Sequence, residues 1–255
     1  MINIAGHSPA SALSRMLTLW RGIGAKKTIV VLMSVLEDRF LRVFDRLYGV
    51  QTSRILSLHA TSVERSTADR ATRYAPVNAW ALRRLFRTLK LPKSLRFVDI
   101  GSGLGRACLL ASEYGFAHVT GIDIVPEFCQ LARKNAAAFR SKVRNSTPID
   151  ILNTDALEYS RTSSDDVFFM YKPFTSSSGL LDIVLDNLER RAKQLERDLT
   201  IIYTERFIIP ESDVGIFERR PAFIQLQSRN WMGQMFWVYQ CRKSSIDGPV
   251  NPTIK

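Results

Sequence analysis

The run Phe97-Val98-Asp99-Ile100-Gly101-Ser102-Gly103-Leu104-Gly105-Arg106 constrains the fold more than any other part of this 255-residue chain. A short apolar strand meets glycines spaced two apart, and a helical pattern opens at once. Glycine lets the backbone turn sharply and approach a ligand with no Cβ in between. The start of the helix leaves unpaired N–H donors beside that ligand. Strand, glycine turn and helix in this order form the first unit of a parallel sheet with helices on its faces.

The chain beyond Leu95 repeats that alternation. Strands are predicted at Leu95–Ile100, His118–Asp123, Ile149–Leu152, Val167–Tyr171 and Thr200–Thr204. Helices are predicted over about 104–114, 126–139 and 178–197, with Pro126 suited to a first turn. Two strand-like runs, Phe223–Gln227 and Gln234–Cys241, flank Ser228–Gly233 and predict an antiparallel hairpin at the sheet edge. The expected class is therefore α/β: a Rossmann-like, mostly parallel sheet with a C-terminal hairpin, preceded by a helical segment.

Four parts are expected: a flexible basic arm (1–27), a helical N-terminal segment (28–94), the α/β domain (95–243) and a disordered polar tail (244–255). In the helical segment, apolar positions from Ile29 to Leu47, including Val43 and Phe44, recur at three- and four-residue steps. Arg42, Asp45 and Arg46 fall on the opposite side, and Gly49 follows as a stop. A second stripe runs through Val77, Trp80, Ala81, Leu85, Phe86 and Leu89, backed by Arg83, Arg84 and Arg87.

The formal charge of +12 is confined to the N-terminal third. Residues 1–96 hold 17 Lys+Arg against 5 Asp+Glu, whereas 97–255 hold 19 of each sign. Two readings stand: a surface for a polyanion or an anionic membrane, and a solvated arginine-rich face. The longest apolar stretch, Thr28–Leu36, has nine residues against the ~20 needed to span a bilayer. A cytoplasmic protein is expected, with peripheral membrane association through residues 10–47 as the alternative. Cys108, Cys129 and Cys241 are far apart and the three histidines do not cluster, so neither a metal site nor a disulfide framework is expected.

Two acidic residues follow the glycine run in order. Asp123 ends the next strand, twenty residues after Gly103, where a carboxylate can accept both hydroxyl protons of a ribose. Ile124 follows it. Asp155, in Asn153-Thr154-Asp155-Ala156-Leu157, comes after the third strand, where a helix N-cap is the simpler role and a ligand contact the second. A dinucleotide-binding turn would read Gly-x-Gly-x-x-Gly. The spacing here is Gly-x-Gly-x-Gly, with Asp99 two residues upstream.

This arrangement resembles the class I S-adenosylmethionine-dependent methyltransferases, closest to bacterial members with a basic helical segment before the core. The resemblance covers roughly residues 70–205 and implies S-adenosylmethionine as cofactor. Carried onto this chain, it implies a cofactor site at Asp99, Gly101, Ser102, Gly103, Gly105, Arg106, Asp123, Ile124, Asp155 and Ala156. Tyr74, in the step Tyr74-Ala75-Pro76, is expected to fold over it.

At the end of the fourth strand, Tyr171-Lys172-Pro173-Phe174 stands where amino-methylating members carry Asn-Pro-Pro-Tyr/Phe. Those four residues are the expected catalytic loop. Lys172 replaces the asparagine, so an amine acceptor, small molecule or protein, is only weakly favoured. Three rivals stand beside the methyltransferase reading. They are an NAD oxidoreductase, an inactive cofactor- or RNA-binding protein of the same fold, and a membrane-surface enzyme acting on a lipid or quinone-like acceptor.

Overall fold

The computed structural model describes residues 41–54, 61–206 and 212–244. The arm, residues 28–40 and nearly all of the tail lie outside the described residues. Seven strands form one sheet: β1 (Arg96–Ile100), β2 (His118–Asp123), β3 (Ile149–Asn153), β4 (Val167–Tyr171), β5 (Leu199–Arg206), β6 (Phe223–Trp231) and β7 (Gln234–Cys241). Their order is β3-β2-β1-β4-β5-β7-β6. The first five pair in parallel, and β7 runs antiparallel to both β5 and β6. The hairpin does close the edge, but its second strand lies inside and β6 is outermost.

Besides the helical residues 41–48, the helices are α1 (Arg65–Ala68), α2 (Ala79–Leu89), α3 (Arg106–Tyr114), α4 (Pro126–Lys142), α5 (Ala156–Thr162), α6 (Leu180–Gln194) and α7 (Val214–Glu218). Strand residues alternate between two apolar layers. Phe97, Phe169, Ile202, Phe236 and Val238 pack with the buried residues of α2 and α3. Val98, Phe168, Met170, Ile201 and Tyr239 pack with those of α6. Burial on both faces is why β4 reads as an unbroken apolar run.

Several expectations shift. The hairpin turn is two residues, not six: Trp231 pairs with Gln234, and Met232 (φ 54°) and Gly233 (φ 74°) take the left-handed values of a type I′ turn. Short helices α5 and α7 carried too few residues to show a period. The face of the first amphipathic stretch is rotated. Residues 41–48 are helical and bury Leu41 and Phe44, whereas Val43 and Leu47 are exposed. Trp80 of α2 is also exposed, and Leu82 is buried in its place.

The rotation places Asp45 inward, because Arg106 needs it there. Arg106 opens α3 but is 1% exposed, and its guanidinium reaches back into the N-terminal segment. Nε donates to Thr52 Oγ1 at 2.6 Å, and Nη2 donates to Leu41 O at 3.1 Å and Asp45 Oδ1 at 3.0 Å. The Asp45 carboxylate in turn accepts from Thr52 Oγ1 and Ser53 N. Asn135 of α4 adds a second tie, accepting from Gln51 N and donating to Leu104 O. A buried guanidinium is tolerated only when paired and hydrogen-bonded, so this network fixes the segment onto the glycine turn.

Candidate active site

The glycine turn is held by the neighbouring strand. Gly101 N and Ser102 N both donate to Ile122 O at 2.9 Å, and Gly105 N donates to Ser102 O at 2.8 Å. Gly103 N donates to Asp123 Oδ2 at 2.8 Å, and Val125 N donates to Asp123 Oδ1 at 2.9 Å. Asp123 is therefore oriented by two backbone donors. Each carboxylate oxygen can still accept a further hydrogen bond.

A pocket opens over this turn at the C-terminal ends of the strands, the usual ligand position in an open α/β sheet. It is lined by 70–77, Asp99, 101–103, 122–125 and 154–157, and by Tyr171, Pro173 and Phe174. Two segments roof it by pairing with each other. Thr72 N donates to Pro173 O at 3.1 Å, Thr175 N donates to Arg70 O at 2.8 Å, and Thr72 Oγ1 donates to Lys172 O. Tyr74 is fixed by its hydroxyl, which donates to Thr52 O at 2.7 Å, and its ring lies beside Phe128.

The glycines leave no room for side chains. A Cβ at Gly103 would sit 2.2 Å from the Tyr74 ring, and one at Gly101 would sit 2.9 Å from Pro173 Cβ. Gly121 in β2 is equally constrained, by Cys108, Ile151 and Ser102 Oγ. Gly105 has a different task from the one expected. It caps α3 at φ 86° and packs on Ala132, away from the pocket lining.

Of the remaining expected residues, Asp99, Gly101, Ser102, Gly103, Asp123, Ile124, Asp155, Ala156 and Tyr74 all border the pocket. Asp155 Oδ1 caps α5 by accepting from Leu157 N at 2.5 Å, so capping and pocket lining coexist. Arg106 borders the pocket too, but its guanidinium is committed to Asp45 and Thr52.

Two carboxyls are buried here. Burial, with Asp123 nearby, pushes Asp99 up to about 8, against a hydrogen bond from Cys108 that lowers it. Burial pushes Asp123 up to about 6, partly opposed by its backbone donors. Both would be relieved by a cationic, hydroxyl-bearing ligand.

Lys172 departs from the expectation of a catalytic role. It adopts φ 35°, is 7% exposed, and is absent from the pocket lining. Its ammonium lies 3.1 Å from Asp213 Oδ2 and 3.6 Å from Glu205 Oε2, and it donates to Ser176 Oγ at 3.2 Å. Asp213 also accepts from Tyr203 OH at 2.6 Å. Lys172 thus anchors the loop from behind while Tyr171, Pro173 and Phe174 face the pocket. Asp213, Glu205 and Thr72 were not legible as site residues, because they are joined to the loop only through space.

Residues 91–202 match the family model described as a methyltransferase domain. An RNA methyltransferase of Salinibacter ruber, solved with S-adenosyl-L-homocysteine, is 16% identical, covers 68% of this chain and 98% of its own, and gives a TM-score of 0.48. A provisionally named RNA methyltransferase of Pyrococcus horikoshii is 14% identical, with 80% and 98% covered and a TM-score of 0.54. No curated protein matches the chain in sequence. This segment is thus similar to the methyltransferase class, and the described strands take a Rossmann-like fold. S-adenosylmethionine is the cofactor of this class, and the glycine cradle and the two buried carboxyls fit it. Among the described residues no group of His, Cys, Asp and Glu could hold a metal ion, and no helix is long and apolar enough to cross a membrane.

Two outcomes check this electrostatic picture. Asp99 holds its proton to a higher pH folded than unfolded. Its contribution to stability is therefore full below its ordinary value and lost as pH rises through about 8. The melting temperature of the ligand-free protein should fall between pH 6.5 and 8.5, and Asp99→Asn should remove most of that fall. An unchanged slope in the variant contradicts it. Lys172→Met should lower stability by about 3 kcal/mol in urea titration, because it strands two buried carboxylates. Unaltered stability with lost turnover would return Lys172 to a catalytic role.

Proposed function

We infer that the chain transfers the methyl group of S-adenosylmethionine to an acceptor that enters beside Tyr171 and Phe174. The observation that carries this reading is the convergence of the glycine cradle, Asp99 and Asp123 on one pocket. The bound cofactor would supply a methyl group already activated on a sulfonium sulfur. The protein then needs to bind, orient and exclude water. Gly101 and Gly103 let Pro173 and Tyr74 close over the turn beside the cofactor. Asp123 accepts from ribose hydroxyls, Asp155 lies where the adenine amino group is expected, and Asp99 favours positive charge. The pairing of Thr72 with the loop after β4 closes the roof.

The loop gives little support to an amine acceptor. Backbone carbonyls at Lys172 and Pro173 accept from Thr72, which ties the loop to the roof. The side chain at the asparagine position is a lysine tied to Asp213 and Glu205. An NAD enzyme is disfavoured by the spacing Gly101-x-Gly103-x-Gly105, one residue short of a dinucleotide-binding turn.

Calorimetric titration with S-adenosylmethionine, S-adenosylhomocysteine and NAD tests the assignment. Micromolar binding of both sulfur ligands, weakened at least about tenfold by Asp123→Ala, and no binding of NAD are expected, since each lost charge-assisted bond is worth about 1.5–3 kcal/mol. Binding of NAD alone, or of none of the three, overturns it.

A further inference from the structure

Between Arg70 and Arg96 the chain carries eight Arg or Lys residues and no Asp or Glu. This stretch contains the pocket roof and α2, so the most basic part of the described chain adjoins the proposed methyl-transfer site. Trp80, Arg84 and Arg87 recur at four- and three-residue steps on α2, a spacing that brings them to one helix face. That face meets the tip of the β6–β7 hairpin. The Arg84 guanidinium lies 5.2 Å from the Trp80 ring centroid and 5.4 Å from that of Trp231.

This cluster is at the surface. Trp80 is 52% exposed, Met232 of the hairpin turn is 43% exposed, and Arg84, Arg87 and Arg229 are exposed. A large indole left half in solvent beside a stacked guanidinium is a ready stacking face for a planar group. The neighbouring cations supply the charge that a phosphate backbone seeks. Trp80 lies three residues after Val77, which lines the pocket. A second groove, lined by Val43, Leu47, Asn78, Trp80, Arg83 and Met232, shares Arg106 with the first.

We propose that Trp80, Arg84 and Trp231 form a stacking platform for single-stranded RNA, which it feeds toward the pocket beside Tyr171 and Phe174. Bases stack on the open area of Trp80, while Arg84, Arg87 and Arg229 contact phosphates. This rests on the methyltransferase reading for its purpose, though binding to the platform does not require that reading. A membrane surface is the competing partner for the same charges. The flat indole stacked on Arg84, with Arg87 exposed on the same helix face and no acidic residue between Arg70 and Arg96, favours a phosphate-linked base.

Fluorescence anisotropy of a labelled single-stranded RNA of ~12 nucleotides, with the full chain, tests the proposal. Trp80→Ala should weaken binding about tenfold, the loss expected for one stacked base. Arg84→Ala should weaken binding and flatten the slope of log K against log salt by about 0.7, one phosphate's share. Calorimetry with S-adenosylhomocysteine should be unaltered in both variants, which also shows that they fold. RNA binding that depends on Trp80 without any S-adenosylhomocysteine binding supports the platform and sinks the methyltransferase reading instead. Equal RNA affinity in wild type and Trp80→Ala overturns the proposal. So does binding to phosphatidylglycerol vesicles but not to RNA.

Discussion

The hydrogen bond from Gly103 N to Asp123 Oδ2 joins the turn after β1 to the end of β2, and the pocket depends on it. Without it the glycine turn has freedom that its composition invites. With it, and with Ile122 O receiving two amides from the same turn, the backbone is set against one carboxylate of fixed orientation. Every other feature of the site refers to this frame. Tyr74 packs where only glycine leaves space, α3 begins at the far side of the turn, and Arg106 carries the N-terminal segment onto it.

Burial creates the chemistry here. Asp99 and Asp123 lie deep enough for their charged forms to be disfavoured, and two buried cations around the site are paired with other carboxylates. Arg106 is held by Asp45, and Lys172 by Asp213 and Glu205. The acidic end of the pocket is therefore left for a cation brought in from outside. Pairing the cations behind the walls, rather than inside, also supplies rigidity: each is a buried charge whose partners sit on a different segment of chain.

Much of this was legible in the residues. The bounds of β2 and β4 are those predicted, and the order of Asp99, the glycines, Asp123 and Asp155 located the pocket, because local sequence dictates strand–turn–helix units. The hairpin turn was misplaced because the polar residues from Ser228 to Asn230 resemble a loop, although an outermost strand with a solvated face tolerates them. The roles of Gly105, Lys172 and Asp45 were not legible. A third glycine can line a ligand or cap a helix, and only Ala132 packed against it decides. Lysine at the loop could face the pocket or turn behind it, and the carboxylates that draw it back lie over thirty residues away in sequence. Asp45 was set on the solvent side by periodicity, which knows nothing of a buried arginine sixty-one residues later.

Hydrogen exchange with and without S-adenosylhomocysteine tests the central claim most directly, because it reads the position of the ligand and not only its affinity. Slowed exchange is predicted at amides 101–105, 123–125 and 155–157 together with the roof at 70–77. NAD at the same concentration should leave them unchanged. Protection confined to other parts of the chain, or equal protection by NAD, would contradict the account.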